Sequence, residues 1–375
     1  MHINRNIGFL VDDYAMRYSS FVPRLYNYCL SQGMQPDRII PSRAFCSDEN
    51  QGYPIILITK HFGTFPFNHG RVGGIVATGR HGNHAHHGKD AVIIHACHVG
   101  YEPDSGEFGV YRRLRTEGRE HSTDCGALCG ILDWYQGEYD FARRRIKLDR
   151  DEGGEIVIID NQLLRDDRAE GLFLRLENMI DADDGQFEPL QQLSTAGVFR
   201  ASPELVAYVG DNWGEEGCAI GEQLHADLFY FRRKPGPATE AGDFINHNLI
   251  DAMPMILRSR FPPLEAAKIN ARMEFDRASR SIVETQAYAG KKVVFVSGIH
   301  IDVSPRDGQI FPLTKFVPWA AYTQRESGEG FTLEQAELHD VLQRQSLDNP
   351  HRIDLTEAIN SMKQEAEIRI RADDA

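Results

Sequence analysis

Runs dominated by β-branched and other apolar residues recur along the chain at Ala91 to His95, Glu155 to Ile159 and Lys292 to Val296. A strand with one solvated face alternates apolar and polar side chains. Continuous apolar runs instead predict strands buried on both faces, as in a parallel sheet covered by helices. Helical patterns lie between them. Over residues 12 to 34, Met16, Phe21, Leu25, Tyr28 and Leu30 fit an amphipathic helix that is interrupted or restarted near Pro23. Arg38 to Cys46 then reads as a short strand, and Ile55 to Thr59 as a second apolar run ahead of the glycine-rich HFGTFPFNHGRVGGIVATG. Glycines in such a stretch permit close backbone packing around a site. The stretch Arg232 to Asp243 holds two prolines and two glycines and is the best loop candidate. Beyond it, KKVVFVSGIHIDVSP resembles the earlier strands and is expected to return to the same sheet. The segment from Thr332 to Ala375 is charged and helical in period, with Pro350 separating two pieces. The expected architecture is α/β, with a central, mainly parallel sheet flanked by helices. Residues 1–331 form one domain in this reading, and 332–375 a charged helical extension.

Charge and cysteine usage narrow the partners. Asp and Glu (55) outnumber Lys and Arg (41), giving a formal net charge of -14 over 375 residues. Nucleic-acid binding needs clustered cationic side chains, so that class is excluded. Six scattered cysteines in a long chain do not form a disulfide framework, and a reducing cytoplasm is the expected compartment. Asp12 and Asp13 break the one apolar run near the start, and no window approaches the ~20 apolar residues that span a bilayer. No membrane role is expected.

Chemistry concentrates between Lys60 and Leu132. The run at 91–94 delivers His98 to a glycine-containing loop, and Cys125-Gly-Ala follows at a predicted helix start. Cys46-Ser-Asp48 closes the earlier strand. Cys46, His98 and Cys125 give a Cys2His set, which suits zinc with a fourth position left open, and well-separated ligands fit catalysis better than scaffolding. Asp48 stands two residues from Cys46, close enough either to serve such a site or to ligate. Cys129 rivals Cys125, because both precede glycine in CGALCG. Cys97 adjoins His98 and would point the opposite way on a strand. The tract His81 to Gly88 (HGNHAHHG) is a polar loop suited to proton transfer, and Arg112, Arg113 and Arg115 form a basic run whose ordinary role is solvated ion pairing.

At these residues the chain resembles the limiting-carbon-dioxide-inducible B protein family, the theta-class carbonic anhydrases, similar in fold to the beta class. The matching pieces are Cys46-Ser-Asp48-Glu, Phe65-Pro-Phe67, His98-Val-Gly-Tyr-Glu, Arg112-Arg113-x-Arg115 and Cys125-Gly126. Ser297-Gly-Ile-His-Ile-Asp-Val-Ser-Pro305 and Phe311-Pro-Leu313 match a later strand and turn. The resemblance implies zinc on Cys46, His98 and Cys125, Asp48 as the site carboxylate, and reversible hydration of carbon dioxide to bicarbonate by at least a dimer. Phe65, Phe67 and Val99 are candidates for an apolar substrate wall. The beta-class pattern Cys-x-Asp-x-Arg uses its arginine to hold the aspartate off the metal. Asn50 occupies that offset here, so Arg71 or Arg113 would have to take the role. Two other readings stay open: a catalytically silent member binding bicarbonate or partners, and a zinc hydrolase using the His81 to His87 tract.

Overall fold

The computed structural model describes residues 8–78, 89–112, 121–160, 170–181, 197–211, 218–219, 224–234, 241–306, 308–309 and 313–364. The His81 to His87 tract, Arg113, and residues 235–240 of the Arg232 to Asp243 loop lie outside them. The main elements are β1 (Met16–Arg17), α1 (Tyr18–Ser31), β2 (Ile39–Ala44), α2 (Gly52–Phe62), β3 (Phe67–Asn68), β4 (Asp90–Glu102), α3 (Gly126–Arg143), β5 (Ile146–Asp151), β6 (Gly154–Ile159), α4 (Pro262–Glu284), β7 (Val293–Val303), β8 (Leu313–Gln324) and α5 (Gln335–Gln343). Together they form two compact units. The second unit comprises residues 8–96, 275–301 and 307–375; the first takes 1–7, 97–274 and 302–306.

The second unit carries the main sheet, with strand order β1-β8-β7-β4-β2-β3. β2 pairs in parallel with β4, from Ile39 opposite Asp90 to Ala44 opposite His95, and β3 adds in parallel to β2. Backbone hydrogen bonds from Ala91 to Lys292 and from Ser304 to Tyr101 show that β4 and β7 also run together. Antiparallel pairing joins β1 and the strand Gly330–Glu334 to β8, and Glu107–Phe108 to the end of β4. The expected central, mostly parallel sheet is therefore present, and KKVVFVSGIHIDVSP does return to it.

Alternation along β4 and β7 explains the continuous apolar runs. Val92, Ile94 and Ala96, with Val294 and Val296, join one core beneath α1, α2 and α5. Ala91 and Ile93, with Val293 and Phe295, join a second core containing Phe275, Ala278 and Ile282 of α4. Successive side chains point to opposite faces, so a strand with both faces covered must be apolar at every position. α1 runs through Pro23 without interruption. The missing amide costs one hydrogen bond, and burial of Tyr18, Phe21, Val22, Leu25 and Tyr26 on the same helix outweighs it. Ile55 to Thr59 falls inside α2, where Ile58 and Phe62 face the core.

The segment after Pro350 is helical, Leu355–Gln364, as its period predicts. The stretch from Thr332 begins differently, in the strand Gly330–Glu334 paired to β8. In α5, Leu338 and Leu342 are fully buried in the core of the second unit, so residue 332 does not mark an edge of the packing.

In the first unit, β6 corrects an expectation. The Glu155 to Ile159 run was read as a strand of the parallel sheet. It belongs instead to an antiparallel four-stranded sheet, paired to β5 from Ile146–Ile159 to Asp151–Gly154. A two-residue turn, Glu152-Gly153, joins the pair, and Gly154 sits at φ 122, where only glycine is unstrained. A turn that tight permits antiparallel pairing alone. Among the described residues, no helix is long and apolar enough to cross a membrane.

Candidate metal centre

The carboxyl ends of β4 and β7 extend into the first unit, and there their buried residues turn polar. His98 on β4 is 1 % exposed and Asp302 on β7 is fully buried. Asp124 joins them because the Val110–Arg112 and His121–Thr123 hairpin folds back over the end of β4. Gly109 donates its amide to the Gly100 carbonyl, and Asp124 donates to that of Gly109. Gly100 makes this approach possible: a Cβ there would overlap the Val110 carbonyl and lie 3.0 Å from the Asp124 Cβ.

His98 Nδ1 lies 3.0 Å from Asp124 Oδ2 and 3.2 Å from Asp302 Oδ2, with all three side chains shielded from solvent. Its other nitrogen, Nε2, is buried and has no hydrogen-bond partner among the described residues. Burial alone would lower the imidazole pKa. The Asp124 charge and hydrogen bonds involving Asp124, Asp302 and Cys125 outweigh it, and the ring of the metal-free chain is held well above its ordinary value.

Cys125 is the N-cap of α3, with an extended backbone (φ -78, ψ 95) that turns into the helix at Gly126. A thiolate there meets the positive end of the helix dipole. The ligand atoms of His98 and Cys125 lie within 4.8 Å of one another. Cys129, the rival, lies one turn further into α3, where its amide donates to the Cys125 carbonyl. Burial, with the nearby Asp124 and Asp133 charges, pushes its thiol up to about 11.

In the second unit, Cys46 is buried two residues beyond the last paired residue of β2. Parallel pairing with β4 ends at Ala44 opposite His95. The Cys46 sulfur accepts a hydrogen bond from the Gly73 amide at 3.1 Å. That glycine has φ 74, and Gly70, three residues earlier, is pressed onto the Phe45 backbone, which a Cβ there would overlap. Asp48 is half-buried and caps its own short turn by accepting from the Asn50 amide at 3.3 Å. The backbone of Asn50 thus restrains the aspartate at the offset where the beta-class pattern uses arginine.

Side chains available to hold a metal ion are the set Cys46, His98 and Cys125 and the set Asp48, His98 and Asp124. The donor chemistry fits zinc: two soft thiolates, an imidazole, and a buried imidazole nitrogen with nothing to bind. Cys97 points away from His98, as alternation predicts, and its sulfur accepts from Asn270. Val99 shares that opposite parity and is buried on the far side of the strand from His98. Phe65 is 80 % and Phe67 45 % exposed. The two phenylalanines lie at and just before the start of β3, a two-residue strand at the edge of the sheet.

Asp124 and Asp302 were missed from sequence. Asp124 carried a signal, since it directly precedes the Cys125-Gly pair. Asp302 had a fainter one: Ile299-His-Ile-Asp-Val303 inserts polar residues into a strand otherwise apolar on both faces.

The architecture is that of the beta-carbonic-anhydrase-like proteins related to the limiting CO2-inducible protein LCIB. A crystal structure of PtLCIB4, a homolog of LCIB, shares the fold with a TM-score of 0.50 at 12% identity, covering 86% of this chain and 95% of that one. A point mutant of the same protein gives 0.50 at 13% identity, with 85% and 93% covered. In sequence, residues 15–179 match the model of limiting CO2-inducible proteins B/C beta carbonic anhydrases, the family resembled by the motifs around Cys46, His98 and Cys125. No curated protein matches the chain.

Proposed function

We propose that this chain is a zinc-dependent carbonic anhydrase, with Cys46, His98 and Cys125 holding the ion. The family match over residues 15–179 supports a role in carbon dioxide hydration in general. The observation that carries the zinc reading is the His98 ring, which has one nitrogen anchored by carboxylates and the other buried without a hydrogen-bond partner among the described residues. A structural histidine would use both. Zinc bound there would supply a Lewis acid that activates water near neutral pH for attack on carbon dioxide.

The chain's own groups do the rest. Cys46 is held by the Gly73 amide and Cys125 by the start of α3, so both sulfurs are placed before metal arrives. Asp48, fixed through the Asn50 amide, accepts a hydrogen bond from the attacking water and orients it. Arg113, outside the described residues, is the candidate to take the role of the beta-class arginine toward that carboxylate. The proton then leaves to solvent through a neighbouring carboxylate or imidazole. The protein is expected to self-associate, at least as a dimer, which sedimentation equilibrium at micromolar concentration checks.

Stopped-flow hydration of carbon dioxide by zinc-loaded protein, from pH 6.5 to 9, tests the reading. Activity should be weak near neutrality and rise with pH, because Asp48 would compete with water as a ligand and that competition would weaken as hydroxide increases. Asp48→Ala should keep zinc but slow turnover. A flat profile at the uncatalysed rate would reject the enzyme and leave a silent, bicarbonate- or partner-binding member.

A further inference from the structure

The metal reading leaves unexplained why one buried imidazole nitrogen is flanked by two carboxylates. Nδ1 carries a single hydrogen, yet Asp124 Oδ2 stands 3.0 Å and Asp302 Oδ2 3.2 Å away. Burying a carboxylate is costly unless it is hydrogen-bonded or paired, so neither is there without a use. They come from different elements. Asp124 is one residue from Cys125 and moves with the start of α3. Asp302 comes from β7, the strand beside β4, and its position is fixed by the sheet: Ser304, two residues on, donates its amide to the Tyr101 carbonyl of β4.

From this geometry we infer that Asp302 is a positioning residue for His98: it accepts the Nδ1 hydrogen from the neighbouring strand, fixing the ring's tautomer and directing Nε2 toward the ion. The inference rests on the zinc reading above. A ligating histidine held by a hydrogen bond on its other nitrogen is both oriented and more basic, and losing that partner costs about 10- to 100-fold in metal affinity. Asp124 can accept the same hydrogen, but from a backbone that also carries Cys125. Asp302 supplies an anchor independent of that ligand, which keeps His98 in place while the thiolate side of the site is still free.

The test uses zinc affinity by chelator competition, the d–d spectrum of the cobalt-substituted protein, and the melting temperature of the metal-free chain. Asp302→Ala should weaken zinc about 10- to 100-fold and alter the cobalt spectrum. Asp302→Asn retains a carbonyl oxygen that can accept from Nδ1–H, and should restore affinity to within a few-fold of wild type. If both variants lower the melting temperature equally and leave zinc affinity unchanged, the role is structural and the inference fails. If Asp302→Ala does not fold, long-range proton–nitrogen correlation spectra of the wild-type zinc protein decide instead. Metal on Nε2 with a retained Nδ1–H supports the assignment; metal on Nδ1 overturns it. Cys125→Ala separates this from the parent reading. Zinc binding unchanged in Cys125→Ala sinks the zinc site as a whole, whereas zinc lost there but unchanged in Asp302→Ala sinks only the positioning role.

Discussion

β4 and β7 each contain two kinds of sequence, and the contrast between them separates stability from chemistry. Their first halves, Ala91 to Ile94 and Val293 to Val296, are wholly apolar and fill the cores on both sheet faces. Their second halves bury Cys97, His98 and Glu102 on one strand, and Ser297, His300 and Asp302 on the other. The backbone conformation is the same throughout. What changes is the price of burial: each polar group must find a partner, and these largely do. His95 meets Ser297 at 2.7 Å, His300 meets Tyr18 and Gln51, and Glu102 meets His121 at 2.8 Å. Nε2 of His98 has no hydrogen-bond partner among the described residues. A buried imidazole nitrogen left open, on a ring whose other nitrogen is held by carboxylates, points to a ligand for that nitrogen.

The contrast breaks most sharply under substitution at the polar end. Cys46→Ala, His98→Ala or Cys125→Ala should abolish stoichiometric zinc, read by elemental analysis after dialysis. Cys129→Ala should leave it at about one ion per chain, given the single His98-centred set of thiolates. Loss of zinc in Cys129→Ala alone would reverse the choice of third ligand.

At the apolar end the effect falls on stability instead. Phe295 is fully buried and stacks on Phe275 with ring centroids 5.5 Å apart. Phe295→Ala should destabilise the chain by about 3–5 kcal/mol in denaturant unfolding while its folded fraction still binds zinc. Equal loss of metal and stability there would erase the distinction between the two halves.

A pH series sharpens the comparison further. The folded, metal-free pKa of His98 is raised, so protonation of this ring favours folding. That contribution is complete below the unfolded value of about 6.5 and is lost as pH rises through the folded value. Zinc needs Nε2 of the ring deprotonated, so binding to the protonated ring must release a proton and strengthen by about tenfold per pH unit for each proton released. Calorimetry in buffers of different ionisation enthalpy measures that release. Zinc binding with no proton release would exclude His98 as a ligand. The smallest effect is expected outside both halves: Phe65→Ser, at a side chain 80 % exposed, should shift stability by no more than about 0.5 kcal/mol and leave zinc untouched.

How much of this was legible in the sequence follows the same division. The apolar halves announced themselves, because burial on two faces leaves an unbroken run that composition alone reveals. Cys46, His98 and Cys125 were legible because thiols and imidazoles are rare and each follows or adjoins such a run. The Glu155 to Ile159 strand was placed in the wrong sheet: periodicity reports burial, whereas the partner strand was chosen by the Glu152-Gly153 turn. Asp302 was not legible as a neighbour of His98, since 204 residues separate them and only the pairing of β7 with β4 brings them together. The surface positions of Phe65 and Phe67 were hidden for a related reason, because hydrophobicity does not say whether another element covers an edge strand.

X-ray absorption at the zinc edge of the loaded wild-type protein tests the central claim most directly. Ligation by Cys46, His98 and Cys125 predicts two sulfurs at about 2.3 Å, one imidazole nitrogen at about 2.0 Å and one further light atom. A shell of oxygen and nitrogen alone, or zinc that washes out before measurement, would contradict it.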